Sequence, residues 1–361
     1  MSTKKQNIIV IALVLFGLSA FTGAAEVSDA VIKNVIVHYE PGRFCGWPAN
    51  YGTWSWGNEI LVGFKFGYYQ AKDRGHSYDR EKPMTVIMSR SLDGGLTWKP
   101  EQPKNINEDI EPIDCPGGIN FEHPDFALRC RQNVFNYSYD RGKTWSVPYK
   151  IPPYGQKKIM ARTDYIINGK DDCFIFMTAS KTNGKEGRPF CVRTTNGGKK
   201  LDWVSWIGPE PKGFSIMPQT VRLSQNKLVT AIRRKEEGLG FIDVYGSQDN
   251  GRTWQFMAKP CETGRHNGNP ADLNLLKDGR IVMTYGDRSA PQGIRAVISK
   301  DNGKTWGNEI FLRVDGRTWD IGYPQSVLRP DGKIVTFYYY TTKEHQEMHI
   351  GATIWDPDKI K

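Results

Sequence analysis

Hydrophobic positions along this chain rarely recur at the three-to-four-residue spacing of a helix. They gather instead into short runs rich in Val, Ile, Thr and Tyr: Val31 to Tyr39, Asn226 to Ile232, Arg280 to Tyr285 and Lys333 to Tyr340. Side chains alternate across a strand, and β-branched and aromatic residues suit a pleated surface, so these runs predict β-strands. Gly and Pro punctuate the chain between them, and the expected class is all-β. One segment breaks the pattern. Lys4 and Lys5 precede an apolar run from Ile8 to Phe21, followed by the small residues Thr22 to Ala25. That order predicts a secretory signal peptide cut near Ala25, and the run is short for a membrane span. The expected organisation is therefore 1–25 as leader and 26–361 as a single domain with no linker. The expected destination is the periplasm or the medium, with no membrane span after cleavage, and the chain is expected to be a monomer.

Between the predicted strands one octamer, S-x-D-x-G-x-T-W, occurs four times: Ser91 to Trp98, Ser138 to Trp145, Ser247 to Trp254 and Ser299 to Trp306. A fifth copy, Thr194 to Gly198 with Trp203 behind it, is decayed. Four identical frames mark an internal repeat. The octamer has the chemistry of a tight turn. Asp accepts backbone N–H groups, Gly takes the left-handed position, the hydroxyls tie the two arms, and Trp anchors the loop in apolar surroundings. Asp93, Asp140, Asp249 and Asp301 are thus structural carboxylates.

A second frame, a residue pair followed by Pro and a strand, runs ahead of the first. Its copies are Gly46 to Ala49, Glu122 to Asp125, Ile216 to Gln219, Gly268 to Ala271 and Gly322 to Gln325; Ala161 to Asp164 fits the gap without the Pro. Pro218 and Pro270 each stand 31 residues before the Asp of the next octamer, and Pro270 and Pro324 are 54 apart. Units of this length with four short strands are propeller blades, and six units fill the chain. The last unit lacks a partner strand, which Val31 to Tyr39 is free to supply. The prediction is a six-bladed β-propeller in which the N-terminal strand closes the last blade and few edges stay exposed. The polar stretch Asp73 to Lys82 is an insertion in the first blade.

Composition alters this picture little. The net charge is +10, with basic residues scattered and no long Lys/Arg run, so nucleic acid is not an expected partner and an anionic carbohydrate is. Six cysteines permit fifteen disulfide pairings in an exported chain; Cys173 with Cys191 and Cys115 with Cys130 are nearest in sequence. No C-x-x-C pair is present, and neither a metal nor a cofactor is expected.

With its octamers and Pro-containing strand starts, the chain resembles the sialidase family, whose octamer is known as the Asp-box. That resemblance implies a six-bladed propeller with an axial pocket lined by the starts of the innermost strands. It also implies exo-acting hydrolysis of a terminal, acidic sugar. Three arginines would clamp the substrate carboxylate, a Tyr polarised by a Glu would be nucleophile, and an Asp would be acid/base. Tyr323, opening the final inner strand, fits the nucleophile. Arg233 fits the second arginine, and Arg288 or Arg295 the third. The acid/base falls in the insertion, where Asp73 and Asp79 are available beside His76. Two positions depart from the pattern. The first arginine's frame reads Gly46-Trp47-Pro48, with Arg43 three residues upstream as a substitute. The polarising Glu falls near Met217, with Glu236, Glu237 or Asp272 as spatial replacements.

Other polar residues fall on the same strand starts and add candidate sugar contacts: His123, Asp125, Arg162 and Asp164, with Arg129, Arg265, His266, Asn269, Asp287 and Asp320. Two other readings fit the same residues. A lyase on uronate-containing polysaccharide would use His123, His266 or Tyr323 as base and arginine to neutralise the carboxylate. A non-catalytic glycan-binding propeller would need no Glu and no first arginine.

Overall fold

The computed structural model describes residues 25–360 apart from 73–74, 107–108 and 266. The candidate Asp73, the candidate His266 and the leader before Ala25 therefore lie outside the described residues. The described chain is all-β. Its strands form antiparallel meanders in five sheets, one of which is double.

The first meander holds Arg43–Gly46, Glu59–Tyr68, Thr85–Ser91 and Lys99–Glu101, with Thr53–Trp56 paired beside the second of these. Ala127–Gln132, Val134–Ser138 and Tyr149–Lys150 form a second, shorter meander. It joins the third (Ile159–Gly169, Asp172–Ser180, Glu186–Thr194, Asp202–Trp206) in one sheet, where Ala161 pairs with Gln132 and Arg162 with Arg131. The fourth runs Phe214–Arg222, Leu228–Glu236, Leu239–Ser247 and Gln255–Ala258, and the fifth Ala271–Leu275, Ile281–Asp287, Gly293–Ser299 and Ile310–Arg313. The sixth supplies Gly322–Leu328, Ile334–Tyr340 and His349–Trp355, and its outer strand is the N-terminal Val31–His38. Val31 faces Trp355 and Asn34 faces Thr353, whose hydroxyl donates to Asn34 Oδ1 at 2.7 Å.

The apolar faces pack pairwise. One core joins the first meander to the second through Trp54, Leu61, Ala127 and Trp145. Others join second to third (Leu128, Phe135, Met177, Phe190), third to fourth (Phe174, Phe176, Leu228, Ile232) and fourth to fifth (Val229, Ile242, Met283, Tyr285). Fifth meets sixth through Val282, Ile294, Tyr338 and Trp355, and sixth meets first through Phe337, Ile350, Phe44 and Phe64. Each sheet buries both faces between neighbours, which explains the near-continuous apolar runs of its middle strands.

The octamers fold as their chemistry requires. In each, Asp takes the Thr hydroxyl at 2.6 Å and the Thr N–H at 2.8–2.9 Å, the Ser hydroxyl caps the Gly N–H, and the Trp indole donates to the Gly carbonyl. The decayed copy keeps the geometry with Asn196 in place of Asp: Lys200 N–H donates to Asn196 Oδ1 at 2.9 Å, and Gly198 N–H to Thr194 Oγ1 at 2.9 Å. Hydrogen bonds from Thr305 hold the Asp301 carboxyl down at about 2, so it stays charged.

All six cysteines are buried and unpaired. Cys173 faces the core between the second and third meanders, whereas Cys191, on the neighbouring strand, faces the one between the third and fourth. Opposite faces of one sheet separate this pair.

Candidate functional site

Four of the strand starts share an uncommon backbone. Trp47, Thr163, Met217 and Tyr323 are non-glycine residues with φ of 61°, 43°, 54° and 51°. Register shifts accompany three of them, between Ala161 and Tyr165, Ile216 and Pro218, and Gly322 and Gln325. A left-handed residue inside a bulge re-aims its side chain out of the strand's alternation, at a cost the surroundings must hold. At Tyr323 the holding group is Asn269, which is fully buried. Its Oδ1 accepts the Tyr323 N–H at 3.1 Å and its amide donates to the Ile321 carbonyl at 3.0 Å. Gly322 packs so closely on Asn269 that a Cβ would lie 2.3 Å from its oxygen, so only glycine fits.

The bulge brings the half-buried Tyr323 to the buried Arg233. Arg233 Nη1 donates to the Tyr323 hydroxyl at 2.9 Å, while its Nε and Nη2 donate to the Asn267 carbonyl at 3.1 and 3.0 Å. Burial pushes the Tyr323 phenol up, but the charges of Arg233 and Arg288, the Arg233 hydrogen bond and Arg162 outweigh it, and the phenol is more acidic than an ordinary tyrosine. Arg288 lies with its guanidinium 6.0 Å from the Tyr323 ring centre and 5.2 Å from that of Trp319. Its Nη2 donates to the Tyr339 hydroxyl at 2.9 Å; Tyr339 in turn donates to Asp320 Oδ1 at 2.6 Å. The first-meander insertion reaches the same carboxylate: His76 Nδ1 is 2.6 Å from Asp320 Oδ1, and Ser77 N–H donates to Oδ2 at 3.3 Å. Trp47, in the frame where the family's first arginine was expected, packs edge-on to His76 at 5.0 Å.

Tyr323, Arg233, Arg288 and His76 are therefore brought together. Arg162 is near enough to act on Tyr323 electrostatically, but its fork is taken by Glu186 at 2.6 and 3.0 Å. Met217 stands where the polarising Glu was expected, its sulfur 3.6 Å from Arg233 Nη1. The proposed replacements point elsewhere. Glu236 pairs with Arg234 at 2.9 Å and lines, with Glu237, Lys259 and Arg265, a separate cleft of about 450 Å3. Asp272 accepts from Ser326 N–H at 2.8 Å and from Asn274 at 2.8 Å.

The remaining sequence candidates have other partners. Arg295 forms ion pairs with Asp287 at 2.8 Å and Glu309 at 2.7 Å, so the choice left open between Arg288 and Arg295 goes to Arg288 on proximity to Tyr323. Arg43 donates to the Gly67 carbonyl and lies between the Phe66 and Tyr68 rings. Asp79 accepts the Glu81 N–H within the insertion. The frame at Pro124 does not open an inner strand. It leads into Ala127–Gln132, whose hairpin partner runs straight into an octamer, and this puts His123 and Asp125 at the octamer end. Asp125 pairs there with Arg141 at 2.6 Å, and His123 stacks on Tyr139 at 4.6 Å. Asp164 is buried against Thr220, whose N–H and hydroxyl it accepts at 3.3 and 3.1 Å. Burial raises both Asp164 and Asp272, the latter to about 7. Sequence reasoning did not find Tyr339 or Glu186; the signal for Tyr339 was its register opposite Gly322.

A cleft of about 910 Å3 lies along Gln132, Lys150, Pro153 and Lys158, and no residue of the Tyr323 cluster lines it. Among the described residues no helix is long and apolar enough to cross a membrane.

Residues 126–336 match the BNR repeat-like domain family, and the chain belongs to that family as a divergent member of the sialidase-like superfamily. Over 238 residues it is 25% identical to a sialidase of Micromonospora viridifaciens, covering 63% of this chain but only about a third (32%) of that protein's length. Among solved structures it is similar to a Dyadobacter fermentans protein of unknown function (TM-score 0.70, 18% identity, 90% of this chain and 98% of that one). It is also similar to the α-L-arabinofuranosidase Arb93A of Fusarium graminearum (TM-score 0.57, 11% identity, 92% and 99%).

Proposed function

We propose that the six meanders close into a six-bladed propeller and that its central site hydrolyses a terminal acidic sugar from glycans, in an exported, monomeric chain. The closure is supported by the six shared cores, which link each meander to the next and the last to the first. The observation that carries the activity is the Tyr323 phenol, held at 2.9 Å by a buried arginine and rendered acidic by it. A phenolate attacking the anomeric carbon carries the same single negative charge as a carboxylate nucleophile, so an anionic sugar needs countercharge beside it. Arg233 and Arg288 supply the countercharge for that sugar. The sialidase resemblance of the sequence and the sugar-acting neighbours in fold point the same way.

The test is a panel of 4-nitrophenyl and methyl glycosides of sialic and hexuronic acids, given to the chain and to its Tyr323→Phe variant. Release of the aglycone by the first and not the second is expected. No release from any glycoside would sink the reading.

One observation favours a second reading. With Met217 in place of a carboxylate, Tyr323 is activated by positive charge alone, which also suits a base that removes the proton α to a uronate carboxylate. A rise in ultraviolet absorbance on polyuronate, without free aglycone from the panel, would mark that lyase.

A further inference from the structure

We propose that His76, delivered by the first-meander insertion, is the proton-transfer residue of the site, and that Asp320 positions it. The inference rests on the hydrolase reading above and names the group which that reading lacks. Asp79 of the insertion is engaged instead with the backbone of its own loop and with Lys82 at 3.8 Å.

The geometry points to His76 on three counts. Its Nδ1 is 2.6 Å from Asp320 Oδ1, and a carboxylate there fixes the proton on Nδ1 and leaves Nε2 to exchange one with substrate. Asp320 is itself immobilised, buried to 2% exposure and held by the Tyr339 hydroxyl and the Ser77 N–H. The imidazole remains 30% exposed, between Trp47 at 5.0 Å and Trp319 at 6.3 Å, so a sugar can reach it. Among the described residues the charged and titratable groups around it are Asp320, Tyr339 with Arg288 behind it, and Tyr78 of the insertion beyond Trp47. Tyr339 also touches Tyr323, ring centre to ring centre at 5.8 Å, so acid and nucleophile flank one aromatic wall.

The step balances. The Tyr323 phenolate oxygen bonds to the anomeric carbon as the glycosidic C–O bond breaks, and the Nε2 proton of the His76 imidazolium passes to the leaving oxygen. Water then adds to that carbon, giving one proton back to His76 Nε2, and Tyr323 leaves. One glycoside and one water yield a free sugar and an alcohol.

Leaving-group dependence tests this. A methyl aglycone needs a proton to depart and 4-nitrophenolate does not. His76→Ala is expected to lose ~10²–10⁴-fold in turnover of the methyl glycoside and less than about tenfold of the 4-nitrophenyl glycoside. Asp320→Asn is expected to show the same asymmetry, in kcat with KM unchanged, and a circular dichroism spectrum like that of the parent. Equal losses on both aglycones, or none, would overturn the role of His76 while leaving the hydrolase reading intact. An unsubstituted chain inactive on every glycoside would overturn both.

Discussion

Two repeated frames build this molecule, and they diverge in opposite ways. In the octamer turns, sequence and structure are both held constant: four copies carry the same residues and the same hydrogen bonds. At four of the strand starts the backbone is held and the side chain is not. Trp47, Thr163, Met217 and Tyr323 share a left-handed conformation yet have no chemistry in common. An octamer residue serves only its own turn, so every copy needs the same one. A strand-start residue is aimed at a space shared with other meanders, and each copy contributes something different. Where a repeat keeps its fold while varying its side chains, the variation marks the site.

That contrast can be broken at the site first. Tyr323→Phe leaves ring and bulge in place and removes the hydroxyl. Turnover is expected to fall by about 10³-fold or more, some 4 kcal/mol of barrier, with the unfolding midpoint little changed. A parallel fall in stability would mean that the hydroxyl serves the fold.

The octamer side gives the converse. Trp145, 2% exposed, fills the core between the first two meanders. Trp145→Ala is expected to cost about 3–5 kcal/mol in denaturant unfolding, and folded protein should retain its KM.

The inner strands offer a pH test. Asp272, raised to about 7 by burial, binds a proton in the folded state that the unfolded chain has already released above the ordinary carboxylate range. A raised folded pKa makes stability fall as pH climbs from about 4 to about 7. Asp272→Asn should remove on the order of 2–4 kcal/mol of that decline, read from urea midpoints at pH 5 and pH 8. An unchanged slope would place the proton elsewhere.

The smallest effect separates two arginines close in sequence. Arg288→Lys is expected to lower kcat/KM by roughly tenfold to a hundredfold, since an ammonium cannot reproduce the fork beside Tyr339. Arg295→Lys, in its ion pairs with Asp287 and Glu309, should change stability by about 1 kcal/mol and kcat/KM not measurably.

The sequence pattern made the strands, the turns and the pairing of Val31–His38 legible because each rests on local chemistry or on a count of unpaired edges. Tyr323, Arg233 and His76 were legible through the frames that hold them. Local pattern failed where a contact depends on sheet register. Nothing near Arg162 announces Glu186, which reaches it from two strands away. The Pro124 frame looks like its siblings, yet the second meander has three strands, and the missing one carries His123 and Asp125 to the far end. The tie between Arg288 and Asp320 through Tyr339 emerges only when the sixth meander sets Tyr339 opposite Gly322.

The antiparallel seam between Val31–His38 and His349–Trp355 has a consequence for how the molecule is made. Asn34 and Thr353, paired across it, stand 319 residues apart, so among the described strand pairs the loop it closes is the most entropically expensive. The ribosome must release His349–Trp355 before that seam can zip, and until then the first and sixth meanders each carry a bare flank. Assembly is thus obliged to return to Val31–His38 for its final stitch.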